Sequence, residues 1–518
     1  MVNMKLFRKI KQFFKRRGLD MGMGNSLVNL TDDPRIELPI AEVERIQKDI
    51  QYFTGDFPDV EYLNSRGKHR KRKFEYLNVV KLASRRIASI VFNSKCDIAI
   101  NNDQSTNDWI NQVLEDNNFF NLFEEALEKG AALGGFAMRP YLDGNKIKIA
   151  WIRADQFIPL HSNTNNISDA VITSRTQQIE QDTTIYYTLL EFHEWDSNTG
   201  DYRITNELYR SDIEKEVGQQ VPLSALDVYK DLDDEVILHG LVRPLFVYFK
   251  TPGANNISIE SPLGTGIVDN SKTIIDTINK VHDQFYWEIA LGQRRIAVDA
   301  SMLGSSIDED DEVHPPLFDS DQNVYQGFYS DGNDSIGVKD MTSPIRSTEY
   351  MDALNHFITE FETQIGLSTG TFSYGSDGLK TATEVVSNNS MTYQTRSSYL
   401  TMVEKAIDEL IISILELASN RDLNGENVLY SYDLTKLPDV KVHFDDGVFV
   451  DKDKQMEEDL KALSAGVLSK QTFLERNYGM STDDAQKEID QINNEQPEPP
   501  ITGDYEQDTG FGKGDDDE

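Results

Sequence analysis

Between Gly378 and Gly425 the chain contains neither glycine nor proline, and the absence of both helix breakers over so long a run predicts one exceptional helix. Thr381 and Glu384 form a T-x-x-E capping box, in which each side chain satisfies an orphan amide of the first turn. The predicted helix therefore runs from Thr381 to Ala418, far beyond the ~12-residue average. Two more helices precede it. Ile267, Ser271, Ile274, Ile278, Val281, Phe285 and Ile289 recur at three- and four-residue steps, which predicts a helix over 267–289 of ~35 Å at ~1.5 Å per residue. Met351, Leu354, Ile358, Phe361 and Ile365 make a second stripe from Ser347, ended by Gly366, a residue suited to a helix C-terminus.

Between the last two helices lies GLSTGTFSYGSDGLK, residues 366–380, which holds fragments of two catalytic motifs. Gly366, Ser368 and Gly370 satisfy G-x-S-x-G. A nucleophile elbow, however, needs a strand before the serine and a helix directly after it, whereas here a helix precedes and glycine-rich chain follows. Gly375, Gly378, Lys380 and Thr381 resemble a phosphate loop, but Leu379 separates the glycine from the lysine, and that adjacency is what the motif requires. Metal motifs fail similarly. His193 and Glu194 begin H-E-x-x-H, but position 197 is Ser; Asp319, Asp321 and Asn323 begin a calcium loop, but Val324 stands where glycine is needed. No catalytic, cofactor or metal residues are therefore assigned. What is left is a flexible 15-residue loop, 366–380, able to project roughly 20 Å when folded back on itself. A long loop at a helix junction usually carries function.

Residues 70–260 read as a mixed α+β body. An apolar stripe at Leu77, Val80, Ile87 and Val91 and helical segments at 107–114 and 119–132 give way to period-two runs at 146–151, 185–192 and 245–249. The stretch 300–345, with the acidic run 308–312, is a small irregular or α/β insertion. A β-rich return at 440–450 and helical segments at 454–465 and 481–492 follow, before an acidic, Pro- and Gly-rich tail that should be disordered. The start of the chain carries Lys5, Arg8, Lys9, Lys11, Lys15, Arg16 and Arg17, with the apolar Leu6, Phe7, Ile10, Phe13 and Phe14 at helical spacing. Such a helix suits an anionic surface or a partner protein, or is simply solvated.

Charge limits the partners. With 51 basic and 88 acidic residues the net charge is −37, whereas proteins that grip DNA through its phosphates are basic. A surface past which a polyanion must slide without sticking has this sign. Cys96 is the single cysteine, so no intrachain disulfide or thiolate cluster exists and a reducing compartment is expected, with Cys96 read as a small buried hydrophobe. No apolar run approaches the ~18 residues that cross a bilayer, and the N-terminus lacks the core of a signal peptide, so the protein is expected to stay where it is made.

Five stretches in order resemble the portal proteins of tailed bacteriophages, in particular those of long-tailed phages of Gram-positive hosts. They are KLASRRIASIVFNSK, EALEKGAALGGFAMRPYLDGNKIKIAWIRADQFIPL, KTPGANNISIESPLGTGIVDNSKTIIDTINKVHDQFYWEIALGQRRI, IGLSTGTFSYGSDGLKTATEVVSNNSMTYQTR and SAGVLSKQTFLERNYGMSTDDAQKEIDQINNE. The resemblance implies an α+β portal fold: a basic arm at 1–39, a wing at 40–265 to which 420–450 return, stem helices at 266–295 and 346–365, and a clip at 296–345. It further implies a tunnel loop at 366–380, a long wing helix at 381–419, a crown at 451–492 and an acidic tail at 493–518.

The implied function is that of a non-enzymatic dodecameric ring at one capsid vertex of the virion, assembled in the host cytoplasm, through which double-stranded DNA is packaged and ejected. Expected partners are the terminase motor, a head-completion or adaptor protein, the major capsid protein and the scaffolding protein, with no membrane. The tunnel-loop residues Gly366, Ser368, Thr369, Gly370, Thr371, Ser373, Tyr374, Gly375, Asp377, Gly378 and Lys380 would line the channel. Twelve copies at −37 each carry −444, which suits a wall that DNA does not adhere to. The alternatives are another head structural protein, such as a minor head protein, and a serine hydrolase built on Ser368.

Overall fold

Charge as well as apolarity lines the inner face of α1 (Ile40–Thr54), which buries Glu42, Arg45 and Asp49 beside Ile46 and Tyr52, while Val43, Ile46, Ile50 and Phe53 recur at three- and four-residue steps along it. The computed structural model describes residues 26–64, 67–101, 103–163, 166–180, 182–292, 342–373, 390–425, 428–445, 452–478, 480 and 482–495, together with five short strands between 296 and 340. The basic N-terminal segment and the acidic tail past Glu495 lie outside these residues. The chain divides into two units, Met1–Lys380 with Ser387–Asp445, and Thr381–Val386 with Asp446–Glu518.

The first unit is α+β. After β1 (Ser26–Leu27), the hairpin β2 (Val60–Leu63) and β3 (His69–Arg72) leads to α2 (Val79–Val91), β4 (Asp97–Asn101), α3 (Gln104–Asp116) and α4 (Phe119–Leu133). β5 (Gly135–Asp143) and β6 (Lys146–Arg153) follow, then β7 (Phe157–Asn163), β8 (Asn166–Glu180), β9 (Thr183–Trp195), β10 (Tyr202–Ser211), β11 (Gly218–Val221), β12 (Glu235–Leu238) and β13 (Val247–Lys250). One antiparallel sheet has seven strands in the order β1-β11-β10-β9-β8-β7 with β12 paired to β10; a second has the order β13-β5-β6. The period-two runs correspond to β6, β9 and β13. The other long strands of the seven-stranded sheet were not anticipated, because polar groups such as Thr173, Asn206 and Ser211 are buried along them and blur the alternation.

His193 sits inside this sheet, fully buried, with Nδ1 2.8 Å from the Tyr202 hydroxyl and Nε2 2.5 Å from Glu191 Oε1. Arg139 Nε lies 2.9 Å from the same carboxylate oxygen. Burial holds the His193 imidazole below its usual pKa and so favours the neutral ring. The H-E fragment is thus a satisfied core network, the usual state of buried polar groups.

A long helix pair follows. α5 (Ile267–Leu291) leads into the strands β14 (Ile296–Asp299), β15 (Ser306–Ile307), β16 (Val313–His314), β17 (Gln326–Phe328) and β18 (Val338–Asp340), and the chain returns along α6 (Ser347–Gln364). β14 pairs with β17 in parallel and with β18 antiparallel. α5 and α6 run antiparallel: the Phe285 and Tyr350 rings stack at 5.2 Å, and Gln364 Nε2 donates to Asn270 O at 3.2 Å. Arg346 clamps Glu288 through both carboxylate oxygens at 3.1 and 2.6 Å and holds its pKa down at about 2.

α7 (Ser390–Ser419) is the described part of the predicted long helix, and residues 381–389, where its capping box falls, lie outside the described residues. Val403, Ile407, Leu410, Ile411, Ile414 and Leu415 are all fully buried. That apolarity on several sides marks a helix enclosed by the fold, and each such side chain contributes about 1.5–3 kcal/mol. After α8 (Arg421–Asn424), β19 (Asp439–His443) pairs antiparallel with β4 and brings the chain back to the body. Cys96, beside β4, is buried, and burial raises its thiol pKa.

The second unit contains α9 (Lys452–Ser464), α10 (Lys470–Tyr478) and α11 (Thr482–Glu495). Asp459 ties α9 to α10 through Arg476 at 3.1 Å and Asn477 at 2.9 Å. α10 is a third helix, between the two segments at 454–465 and 481–492 that the sequence predicts as helical. Among the described residues no helix is long and apolar enough to cross a membrane.

Candidate functional site

The turn that leaves α6 is built on one buried carboxylate. At the helix end Gly366 takes φ 75°, its amide donating to Thr363 O at 3.1 Å while the Leu367 amide donates to Glu362 O at 2.8 Å. This left-handed closure favours glycine. Neighbours demand it as well: a Cβ at Gly366 would stand 2.4 Å from Thr395 Oγ1, which itself donates to Gly366 O at 2.7 Å.

From there the chain folds back over the helix end. Glu362, with no exposure to solvent, accepts the Gly370 amide at 3.0 Å, the Ser373 amide at 2.8 Å, the Ser373 hydroxyl at 2.9 Å and the Phe372 amide. Three main-chain N–H groups converging on a carboxylate form a nest that stabilises the anion without a cation. Ser368 is buried, its amide donating to Thr392 Oγ1 at 2.8 Å and its Oγ accepting the Thr392 amide at 3.2 Å. Thr371 Oγ1 donates to Ser368 O at 2.6 Å.

The 15-residue loop read from sequence as flexible throughout therefore begins with a folded turn over 366–373, stitched to α6 by Glu362 and to α7 by Thr392 and Thr395. Of the predicted loop residues, Thr369 and Gly370 are exposed, Gly366, Thr371 and Ser373 are half-buried, and Ser368 points inward. Tyr374, Gly375, Asp377, Gly378 and Lys380 lie outside the described residues. A hydroxyl held by Thr392 behind a helix end is a structural stitch, which accounts for Ser368 without a nucleophile. Sequence reasoning missed Glu362, Thr392 and Thr395. The one available signal was an acid directly beside Phe361 in the apolar stripe.

A second polar cluster seats the start of α5, at the same end of the helix pair. Arg45 contacts Asp269 at 2.5 Å, Glu42 at 3.1 Å and Asp49 at 3.5 Å, and donates to Gly264 O at 3.1 Å. Asp269 Oδ2 also accepts the Gly266 amide at 2.7 Å, capping α5. Burial, together with the adjacent Asp269 carboxylate, pushes the Asp49 pKa upward. No cluster of three or more His, Cys, Asp or Glu suited to a metal occurs among the described residues.

Comparison with known proteins gives one family. The profile described as "Phage portal protein, SPP1 Gp6-like" matches residues 39–498. No curated protein sequence matches the chain. Among solved structures, a chain from "Neck of native GTA particle computed with C12 symmetry" is similar with a TM-score of 0.41 at 10% identity, over 88% of this chain and 95% of that one.

Proposed function

This chain belongs to the phage portal proteins, in the SPP1 Gp6-like family, and is a head-to-tail connector of that kind; on that premise we propose that copies of it close into a dodecameric ring at one capsid vertex, through which double-stranded DNA enters and leaves. The proposed host range is that of long-tailed phages infecting Gram-positive bacteria. In this reading the ring is assembled in the host cytoplasm with capsid and scaffolding proteins, receives the terminase motor during packaging and an adaptor afterwards, and resides in the virion. Residues 40–265 with 420–450 serve as wing, α5 and α6 as stem, 296–345 as clip and 451–492 as crown. The reading is structural rather than enzymatic.

The observation that carries it is the Glu362 nest. It fixes the root of the glycine-rich segment, 366–373, to α6, and Thr392 and Thr395 tie the same turn to α7. Residues 365–373 contain no charged side chain, and the one anion at the root is already spent on main-chain amides. Such a root offers DNA weak, sequence-blind polar contacts, and sliding is favoured over capture. Lys380 then contributes one cation per copy, a ring of positive charge that steadies the duplex. Replacing Lys380 by Glu is expected to slow packaging or reduce genome retention while rings still assemble. Normal packaging rate and retention in heads bearing that substitution would remove Lys380 from the mechanism.

A further inference from the structure

On a chain of net charge −37, the β2–β3 hairpin is an anomaly. Lys68, Arg70 and Lys73 are exposed and make no side-chain ion pair within the described residues, while Lys71 is matched across the strands by Glu61 at 2.8 Å. The hairpin is firmly seated. Arg72 is turned inward and grips Asp283 of α5 through both oxygens at 2.5 and 2.6 Å, with its guanidinium 4.8 Å from the Trp287 ring. Tyr62 packs against the same indole at 5.7 Å, and Asn279 accepts the Leu77 amide at 3.1 Å. Asn279, Asp283 and Trp287 are spaced four apart and share one face of α5.

α6 packs on the opposite side. Phe285 and Glu288, which hold Tyr350 and Arg346, lie about 140–200° round the helix from Asp283, at about 100° per residue. α6 in turn exposes Glu349, Asp352, His356 and Glu360, which fall within a sector of about 80° centred about 95° round the helix from the α5-contacting Arg346, Tyr350 and Gln364. Glu360 meets His356 at 3.2 Å, but Glu349 and Asp352 make no ion pair within the described residues. The basic hairpin and the acidic sector are therefore separate faces: the hairpin lies on the side of α5 away from α6, and the acidic sector lies about a quarter-turn round α6 from its α5-facing side.

We propose that the hairpin of one copy docks on the acidic face of α6 in the next, a head-to-tail contact repeated round the ring; it rests on the ring proposed above. Two different, complementary faces on each copy are what a heterologous interface requires. Copies that repel one another overall need a local match of this kind to come together in register, since complementarity sets orientation and rejects wrong encounters. Screening of exposed pairs makes the contact salt-sensitive.

The test uses the full chain. K68E/R70E/K73E and E349K/D352K/E360K are each expected to raise the protein concentration needed for rings by about tenfold or more, which corresponds to ~1.4 kcal/mol, and the two sets combined are expected to restore it. In a C96S background, which removes the single native thiol, oxidation of R70C/D352C is expected to give a covalent ladder of multimers, a readout that does not depend on the reversals folding. Rings of unchanged stability in both reversals, or rings without a ladder, overturn the contact and leave the ring standing. Reversals that ring normally but retain DNA poorly also overturn it, and assign the hairpin to phosphates. Wild-type protein that never rises above the monomer overturns the ring itself.

Discussion

Glu362 shows how a single side chain sets where a loop begins. A buried carboxylate is expensive unless fully hydrogen-bonded, and the amides of Gly370, Phe372 and Ser373 supply that compensation. The dependence is mutual, because those amides lose their acceptor if the acid is removed. Glu362→Ala is expected to free the turn locally by about 2 kcal/mol, seen as roughly 30-fold faster hydrogen exchange at those three amides. Exchange that stays at the wild-type rate would mean that another group holds the turn. Glu362→Gln, which keeps one carbonyl acceptor, should give an intermediate rate.

Among the elements, the start of α5 depends most on close approach. Its N-terminus lies against the turn between α4 and β5: a Cβ at Gly264 would stand 2.1 Å from Gly134 O and 2.4 Å from Thr251 Oγ1, and one at Gly266 would stand 2.1 Å from Ala132 O. Backbone oxygens cannot move aside as side-chain ends do, so Gly264→Ala is expected to cost about 3 kcal/mol, read as an earlier denaturation midpoint or loss of soluble protein. An unchanged midpoint would show that the helix can shift without cost. The long helices were legible because their apolar stripes are clean: 267–289 became α5 and the stripe from Ser347 became α6. The period of α1 is legible in the same way through Val43, Ile46, Ile50 and Phe53, but nothing in it reveals that Glu42, Arg45 and Asp49 are buried beside that stripe. Most strands of the seven-stranded sheet escaped because buried polar residues interrupt their alternation. At the site, the glycines announced a loop, but the stitches to Thr392 and Thr395 join positions far apart in sequence, and no local pattern encodes such a pairing.

At the scale of the whole molecule, the charge, the paired helices and the family match all bear on one object, a ring. A copy of net charge −37 does not associate indiscriminately, so the assembly should be closed and of one size rather than an open-ended series. Native mass spectrometry of the purified assembly tests this most directly. A discrete species of twelve times 58.9 kDa, about 707 kDa, is expected, whereas a mass of 58.9 kDa persisting at high protein concentration across several salt conditions would contradict the ring.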